Sequence, residues 1–451
     1  MTRMEPADSR MYWLSAAIPN DQFLLYCFAD QQVPMADLAE GLRRRAGRVA
    51  DLGLRVCDVP LSLDHPLWVH RPPTPDQVVV HTGIDAWSRC LERVGELTAD
   101  QLVATRTCWR LHLLGPIADT PRGPGVVAVL QITHSLGDGR RTSQIARDLF
   151  GEHHLRTATR APTDALPPVL AGSSAAVRGA LATPVRIGRM LWRGVEAFRA
   201  VGARPPSARP GYALTQLNRP PGARRTLRVV VVDRTTLPAG HTVTVGALTA
   251  ISIALERYLG AGAEPIGAEL TIGRNARAKA RNNFRNAGID LHVEVADPSG
   301  RARLIAGEIA RAADTDDEPA RVAERRASDA TPAFLGHWGT RQFDADAPPE
   351  RVTGVTVVSS VYRGVADLAL GGGPVLLTTG FPALSPAQGL THGVHGIGDA
   401  IAISVTTSPE VMPDVERYVD LLTDALALVA TIDGRQDSAG PPPGSPEPDR
   451  G

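Results

Sequence analysis

Aromatic residues are scarce in this chain of 451 residues, at 4% of the sequence, and the formal net charge is zero. A nucleic-acid surface needs a basic stripe, usually with interleaved aromatics, so that class of function is excluded. Lysine is nearly absent: Lys279 is the only one, and every other basic side chain apart from histidine is arginine. The skew fits a GC-rich, actinobacterial-type coding bias better than a demand for bidentate guanidinium contacts. The four cysteines, Cys27, Cys57, Cys90 and Cys108, form no C-x-x-C pair and no His–Cys ligand spacing. They read as reduced, mostly buried thiols of a cytoplasmic protein, with no metal site. No apolar run nears the roughly 18 residues a spanning helix needs. The start, "MTRMEPADSRMYW", lacks the continuous apolar core of a signal peptide. The expectation is a cytoplasmic protein that at most lies on a membrane surface. No G-x-S-x-G elbow is present, which excludes the usual serine-hydrolase arrangement.

What is present is an ordinary globular composition, 43% hydrophobic and 21% charged, long enough for two or three core-sized units. Residues 1–155 read as a first α/β unit. "QFLLYCFA", "CWRLHLL" and "GVVAVLQIT" are strands, the last apolar on both faces and so interior to a sheet. "MADLAEGLRRRAGRVADL" is an amphipathic helix carrying Leu38, Leu42 and Val49 on one side. "TSQIARDLFG" is a second helix, closing on Gly151.

Residues 156–225 are rich in Pro, Gly, Ala and Arg, as connections are. Inside them "AAVRGALATPVRIGRMLWRGVEAFRAV" is a basic amphipathic helix with a kink expected at Pro184. Two readings are open: a crossover helix packed on the domain, or a peripheral membrane or lipid-droplet contact inserting Leu191, Trp192 and Phe198. From 226 to 433 a second α/β unit follows, with strands "TLRVVVVD", "GVTVVSSV" and "AIAISVTT". Its helices are "TVGALTAISIALERYLG" and "DVERYVDLLTDALALVA". The tail, 434–451, cannot bury apolar surface and is expected to be disordered. Two halves of similar size suggest two subdomains with a cleft between them.

The chemistry centres on "LQITHSLGDG", residues 130–139, where an apolar strand ends in His134 and Asp138-Gly139 follow within one turn. Such a turn can aim an imidazole into a cleft, and an imidazole with its ordinary pKa near 6.5 is mostly neutral base at neutral pH. Asp138 could fix the turn or pair with an arginine, and Gly139 would allow a backbone shape other residues resist. A lone histidine at a strand end is more often structural, so the motif alone decides nothing. His153 and His154 are adjacent but lack the carboxylate spacing of a metal pair. His392 and His395, in the Gly-rich "GLTHGVHGIGD", read as solvent-facing in a hairpin, and "GGGP" at 371–374 reads as a turn.

The surroundings of the motif add more. The stretch "CWRLHLLGPIADTPRGPGVVAVLQITHSLGDGRRTSQIARDLFG" resembles the active-site region of the bacterial wax ester synthase/diacylglycerol acyltransferase family. That family belongs with chloramphenicol acetyltransferase and peptide-synthetase condensation domains. Trp109, His112 and Leu113 fit its W-x-x-H-L strand, and His134, Asp138 and Gly139 fit its H-H-x-x-x-D-G hallmark. "SLDHPLW", "VTVGALTAISIALERYL", "ARNNFRNAGIDLHVEVADPSGRARLI" and "GDAIAISVTTSPEVMPDVERYVDLLTDAL" resemble further family segments in the same order.

The resemblance implies two chloramphenicol-acetyltransferase-like subdomains, mixed sheets flanked by helices, with an active-site tunnel at their interface. It implies acyl transfer from acyl-CoA, or a carrier-bound acyl thioester, to a hydroxyl acceptor such as diacylglycerol or a long-chain alcohol, without a cofactor. His134 would be the general base, and Asp138 an orienter salt-bridged to Arg55. Asn282 or Asn283 would donate to the acyl carbonyl or cap a turn, and Ser359, Ser360 and Tyr362 would line the tunnel. The first histidine of the family pair is Thr133 here. The family's "S-N-V-P-G-P" reads "SSVYRG" at 359–364, and its "P-L-W" reads "TCW". These departures keep two rivals open: a condensation-like acyltransferase of specialised metabolism with a non-lipid acceptor, and a degenerate, non-catalytic relative. The acceptor's identity and the oligomeric state are not legible.

Overall fold

Two six-stranded mixed sheets carry the molecule. The computed structural model describes residues 1–151, 167–203, 211–260, 264–274, 279–342 and 349–432. His153, His154 and the tail 434–451 lie outside them. The first sheet runs, edge to edge, through Ala369–Leu370, Gly373–Phe381, Gln22–Ala29, Gly125–Ile132, Trp109–Ile117 and Val78–His81. The second runs through Phe284–Asp290, Gly267–Gly273, Thr356–Tyr362, Thr391–Ile397, Ala400–Thr407 and Thr226–Asp233. A division of the chain at 226 is therefore crossed. The strand Gly373–Phe381 belongs by position to the second half, yet it pairs antiparallel with Gln22–Ala29 of the first.

Burial follows the sequence pattern. Gly125–Ile132 is buried at every position, as a central strand covered on both faces must be. One core packs that sheet against the helices Met35–Ala46 and Gly139–Phe150, through Leu38, Leu42, Ile145, Leu149 and Phe150. A second core joins the other sheet to helices Val243–Leu259, Pro298–Asp314 and Val415–Val429. All four cysteines are free, three of them buried and Cys57 half-buried.

A buried polar chain crosses the first sheet. Gln131 donates from Nε2 to Asp21 (2.9 Å) and to the carbonyl of Asp100 (2.6 Å), so its Oε1 accepts from His112 Nε2 at 3.1 Å. His112 Nδ1 in turn accepts from His81 Nε2 (3.0 Å), and Arg93 donates to His81 Nδ1 at 3.3 Å. Burial lowers the His112 pKa to about 4 and raises that of Asp21 to about 6.

The basic segment forms a single helix, Pro168–Ala203, with Pro184 inside it. Its small residues Ala171, Ala175 and Ala176 pack on Val59, Leu67 and Val69. At 100° per residue, Val177, Leu181, Val185, Leu191, Trp192, Val195 and Phe198 fall on one arc, and all seven are exposed.

Candidate active site

His134 opens the one-turn segment His134–Leu136 that follows the buried strand Gly125–Ile132. Its Nδ1 lies 3.0 Å from Asn282 Oδ1, on the segment before Phe284–Asp290 in the second half. Which atom carries the proton follows from the asparagine's other bonds. Asn282 Nδ2 faces only acceptors: Asp8 Oδ1 at 3.1 Å, the His134 carbonyl at 2.9 Å and the Ser135 carbonyl at 3.4 Å. Its Oδ1 must therefore accept, the proton sits on His134 Nδ1, and Nε2 keeps its lone pair.

Asp8 fixes that orientation. It is 1% exposed on the short helix Pro6–Leu14, and its carboxylate accepts from the amides of Arg281 (3.0 Å) and Asn282 (2.8 Å) as well as from Asn282 Nδ2. Burial raises the Asp8 pKa against the opposing pull of these bonds. For His134, burial depresses the pKa, while hydrogen bonds and the Asp138 charge act in the other direction. The imidazole is thus a neutral base at neutral pH. The Phe284 ring stands over it at 5.5 Å.

Asp138 is placed differently from the expectation. Its Oδ1 caps the helix Gly139–Phe150, accepting from the amides of Arg140 (3.1 Å) and Arg141 (3.0 Å). Its Oδ2 accepts from the amide of Asn283 at 3.0 Å, and its own N–H donates to the carbonyl of Arg281 at 3.1 Å. Among the described residues no ion pair joins Asp138 to Arg55, which instead borders a hollow of about 520 Å³ beside the long helix. The expected salt bridge is replaced by main-chain amides because the motif helix begins at Asp138 and leaves its first N–H groups unmet. The arginine network of this region centres on Asp51, which pairs with Arg281 and Arg141 at 2.9 Å each. Burial pushes the Asp51 pKa up, but the two guanidinium groups outweigh it and the net shift is downward. Replacing Asp138 with Ala should remove the cap and one clasp between the halves. We expect a loss of about 2 kcal/mol in urea unfolding; an unchanged midpoint would contradict the clasp.

The other anticipated residues sort as follows. Asn282 accepts from His134 and so orients its imidazole, and Asn283 closes the clasp with Asp138. Gly139 has ordinary helical geometry. What demands glycine there is space, since a Cβ would stand 2.9 Å from Val361. Thr133 is buried and bonds Ser135 Oγ at 3.2 Å. The strand expected at "GVTVVSSV" forms: Thr356–Tyr362 is an interior strand between Gly267–Gly273 and Thr391–Ile397. Side chains alternate along it. Ser359 and Val361 share the face that meets Gly139, whereas Ser360 bonds Thr244 (2.8 Å) on the helix-covered face and Tyr362, 64% exposed, follows it. Tyr362 does not line the seam; Val361 does.

His392 and His395 are buried, not solvent-facing: His392 bonds Thr356 (2.9 Å) and Tyr418 (2.8 Å). The hairpin expected there does form, from Thr391–Ile397 and Ala400–Thr407, but between two packed layers. Among the described residues, Asp290, His292 and Glu294 gather potential ligand atoms within 4.8 Å of one another, on a segment that no bond ties to His134. A second hollow, of about 1120 Å³, runs between Tyr12, Trp13, Leu61 and Trp338 and likewise does not touch His134. Sequence reasoning missed Asp8 entirely, since an acid in "PADSR" carries no mark of burial.

Residues 282–430 match the family model described as the WS/DGAT C-terminal domain. This segment is similar to WS/DGAT C-terminal domains. The resemblance read from the sequence is borne out. The WS/DGAT-like chain superposes on the wax ester synthase/diacylglycerol acyltransferase from Marinobacter aquaeolei VT8 with a TM-score of 0.61 at 17% identity, covering 95% of this chain and 98% of that one. It also superposes on a mutant starter condensation domain of rhizomide synthetase, in complex with C8-CoA and Leu-SNAC. There the TM-score is 0.54 at 13% identity, over 96% and 94% of the two chains. No curated protein matches the sequence. The WS/DGAT-like fold is the two-subdomain, chloramphenicol-acetyltransferase-like one expected.

Proposed function

We propose that the chain is an acyl-CoA-dependent O-acyltransferase, moving a fatty acyl group to the hydroxyl of a lipid-like alcohol, diacylglycerol or a long-chain alcohol. One observation carries the reading: His134 Nδ1–H donates a hydrogen bond to Asn282 Oδ1, leaving the Nε2 lone pair free where the two halves meet. In the proposed step Nε2 takes the proton of the acceptor hydroxyl as its oxygen attacks the thioester carbonyl. The C–S bond then breaks, and the imidazolium returns the proton to the thiolate. No acyl-enzyme is required. Asn282 and Asp8 hold the tautomer throughout, and Asp138 holds the turn. Purified protein incubated with a panel of acyl-CoAs should release free thiol faster when a long-chain alcohol or diacylglycerol is added. Thiol release that no hydroxyl compound accelerates would reject the reading.

The long helix supports a lipid surface as the place where such substrates are met. The seven exposed apolar residues of that arc span roughly 30 Å of helix, and Arg178 and Arg189 border one side of the stripe. We expect the protein to sediment with vesicles containing anionic lipid, and a Trp192→Ser/Phe198→Ser double variant to lose roughly tenfold in partitioning. Equal sedimentation of both proteins would leave the helix as a crossover element only.

A further inference from the structure

A hollow of about 520 Å³ opens where the first turns of the long helix Pro168–Ala203 meet the small antiparallel sheet of Thr2–Arg3, Leu67–His70 and Leu54–Cys57. That volume falls within the range of small-ligand sites. Val69 and Val169 give it apolar walls, while Arg55, Arg71, Thr105 and Ser173 border it with polar groups. Arg55 stands opposite Val69 in the register of the sheet, so both point to the face that the helix covers. Two guanidinium groups thus share one hollow. Among the described residues neither side chain has a hydrogen-bond or ion-pair partner. Arg71 is tied only by its main-chain N–H, which donates to the Gly53 carbonyl at 2.6 Å. The acid at the rim, Asp58, already accepts from Tyr12 Oη at 2.9 Å. The hollow is left with a net positive charge and two forks of unused N–H donors, the geometry that matches phosphate oxygens.

The exposed stripe of the long helix begins at the same place. At about 100° per residue, Val169 falls beside Phe198 and Leu170 beside Val177, and the two are 78% and 55% exposed. Val169 therefore belongs both to the wall of the hollow and to the edge of the stripe. Arg178 and Arg189 border the opposite edge. A lipid surface lying on the stripe meets the mouth of the hollow at headgroup depth, where the phosphates are.

We propose that this hollow binds the phosphate of an anionic lipid headgroup, through Arg55 and Arg71, at the start of the exposed stripe. That the phosphate belongs to a lipid rests on the helix lying on a membrane; recognition of the phosphate group does not. The full chain would be titrated calorimetrically with dihexanoyl phosphatidate dispersed as monomers, with dihexanoylglycerol and with inorganic phosphate. Two variants, Arg55→Gln/Arg71→Gln and Arg178→Gln/Arg189→Gln, would run alongside, the second removing the same charge from the far edge of the stripe. Phosphatidate should bind the unaltered protein and the Arg178/Arg189 variant alike, and the Arg55/Arg71 variant about tenfold more weakly or worse. Dihexanoylglycerol should not tell the three apart. If Arg55→Gln/Arg71→Gln does not fold, Thr105→Trp carries the test, because it fills the hollow and leaves both arginines in place. Inorganic phosphate that binds as tightly as phosphatidate would overturn the lipid assignment in favour of a free phosphate. No phosphatidate binding by the unaltered protein, or an affinity that neither the Arg55/Arg71 variant nor Thr105→Trp changes, would overturn the site itself. The Trp192→Ser/Phe198→Ser protein should bind monomeric phosphatidate normally, so failure of the hollow is separate from failure of the helix to sediment with vesicles.

Discussion

His134→Ala should lower acyl transfer on the order of a hundred- to ten-thousandfold, with melting close to that of the unaltered protein. The imidazole makes one side-chain bond, to Asn282; its removal leaves the strand and cap intact. Because the folded protein depresses the His134 pKa, the base stays unprotonated at neutral pH. Activity should therefore hold through neutrality and fall only as acid reaches that lowered value. Asp8→Asn tests the orientation of the base. An amide in that pocket sets an NH₂ group against the N–H of Arg281 or Asn282, so Asn282 is held by the His134 and Ser135 carbonyls alone and the acceptor of the Nδ1 proton is less firmly fixed. A loss of roughly a hundredfold in kcat with KM little changed is expected, on the pattern of wrong-tautomer variants. Nitrogen NMR should show His134 moving away from the Nδ1–H form. Near-normal turnover in His134→Ala would end the general-base assignment, and an unmoved tautomer in Asp8→Asn would remove Asp8 from it.

Acid should unfold this protein early. His65, His112 and His392 are 3%, 1% and 0% exposed, and burial lowers their pKa values to about 3, 4 and 3. In the unfolded chain they titrate near 6.5, so the unfolded state binds more protons at every pH between those limits. Their contribution is complete above pH 6.5 and drains away as the pH falls toward 4, by about 1.4 kcal/mol per unit for each group. Asp21, raised to about 6, works in the opposite sense over part of this range and offsets one of the three. The net loss between pH 6.5 and 4.5 is roughly 5 kcal/mol, comparable with the whole stability of many domains. Circular dichroism followed downward in pH should show cooperative loss of structure above pH 4. A melting temperature unchanged from pH 7 to 4.5 would mean that these histidines are not buried neutral.

Much of the fold was legible because its signals are local. Alternation and apolar runs marked the strands at 22–29 and 125–132, and a 3.6-residue spacing marked the helix at 415–429. His134 was legible from the motif. Its support was not, since Asp8 and Asn282 lie 274 residues apart and meet only when the two halves close. Glycine misled once. In "GLTHGVHGIGD" the glycines suggested an exposed hairpin, whereas Gly393 and Gly380 let two sheets approach so closely that a Cβ on Gly393 would strike the Gly380 carbonyl. In "SSVYRG" the strand was legible from its β-branched residues, but which of its alternating side chains face the seam was not. Asp138 was read as an ion-pair partner because spacing cannot show that a helix starts at the next residue.

The strand Gly373–Phe381 sets an order on biosynthesis. Until it arrives, Gln22–Ala29 has one neighbour only, and an apolar strand edge, Phe23 to Phe28, lies open to any other extended chain. About 350 further residues must leave the ribosome before that edge is closed, and synthesis at about 5–20 residues per second makes the wait tens of seconds. The interval is a hazard of self-association for the nascent chain. A chaperone that shields the 22–29 edge would raise the yield of folded protein, and expressing residues 1–225 alone should give insoluble material.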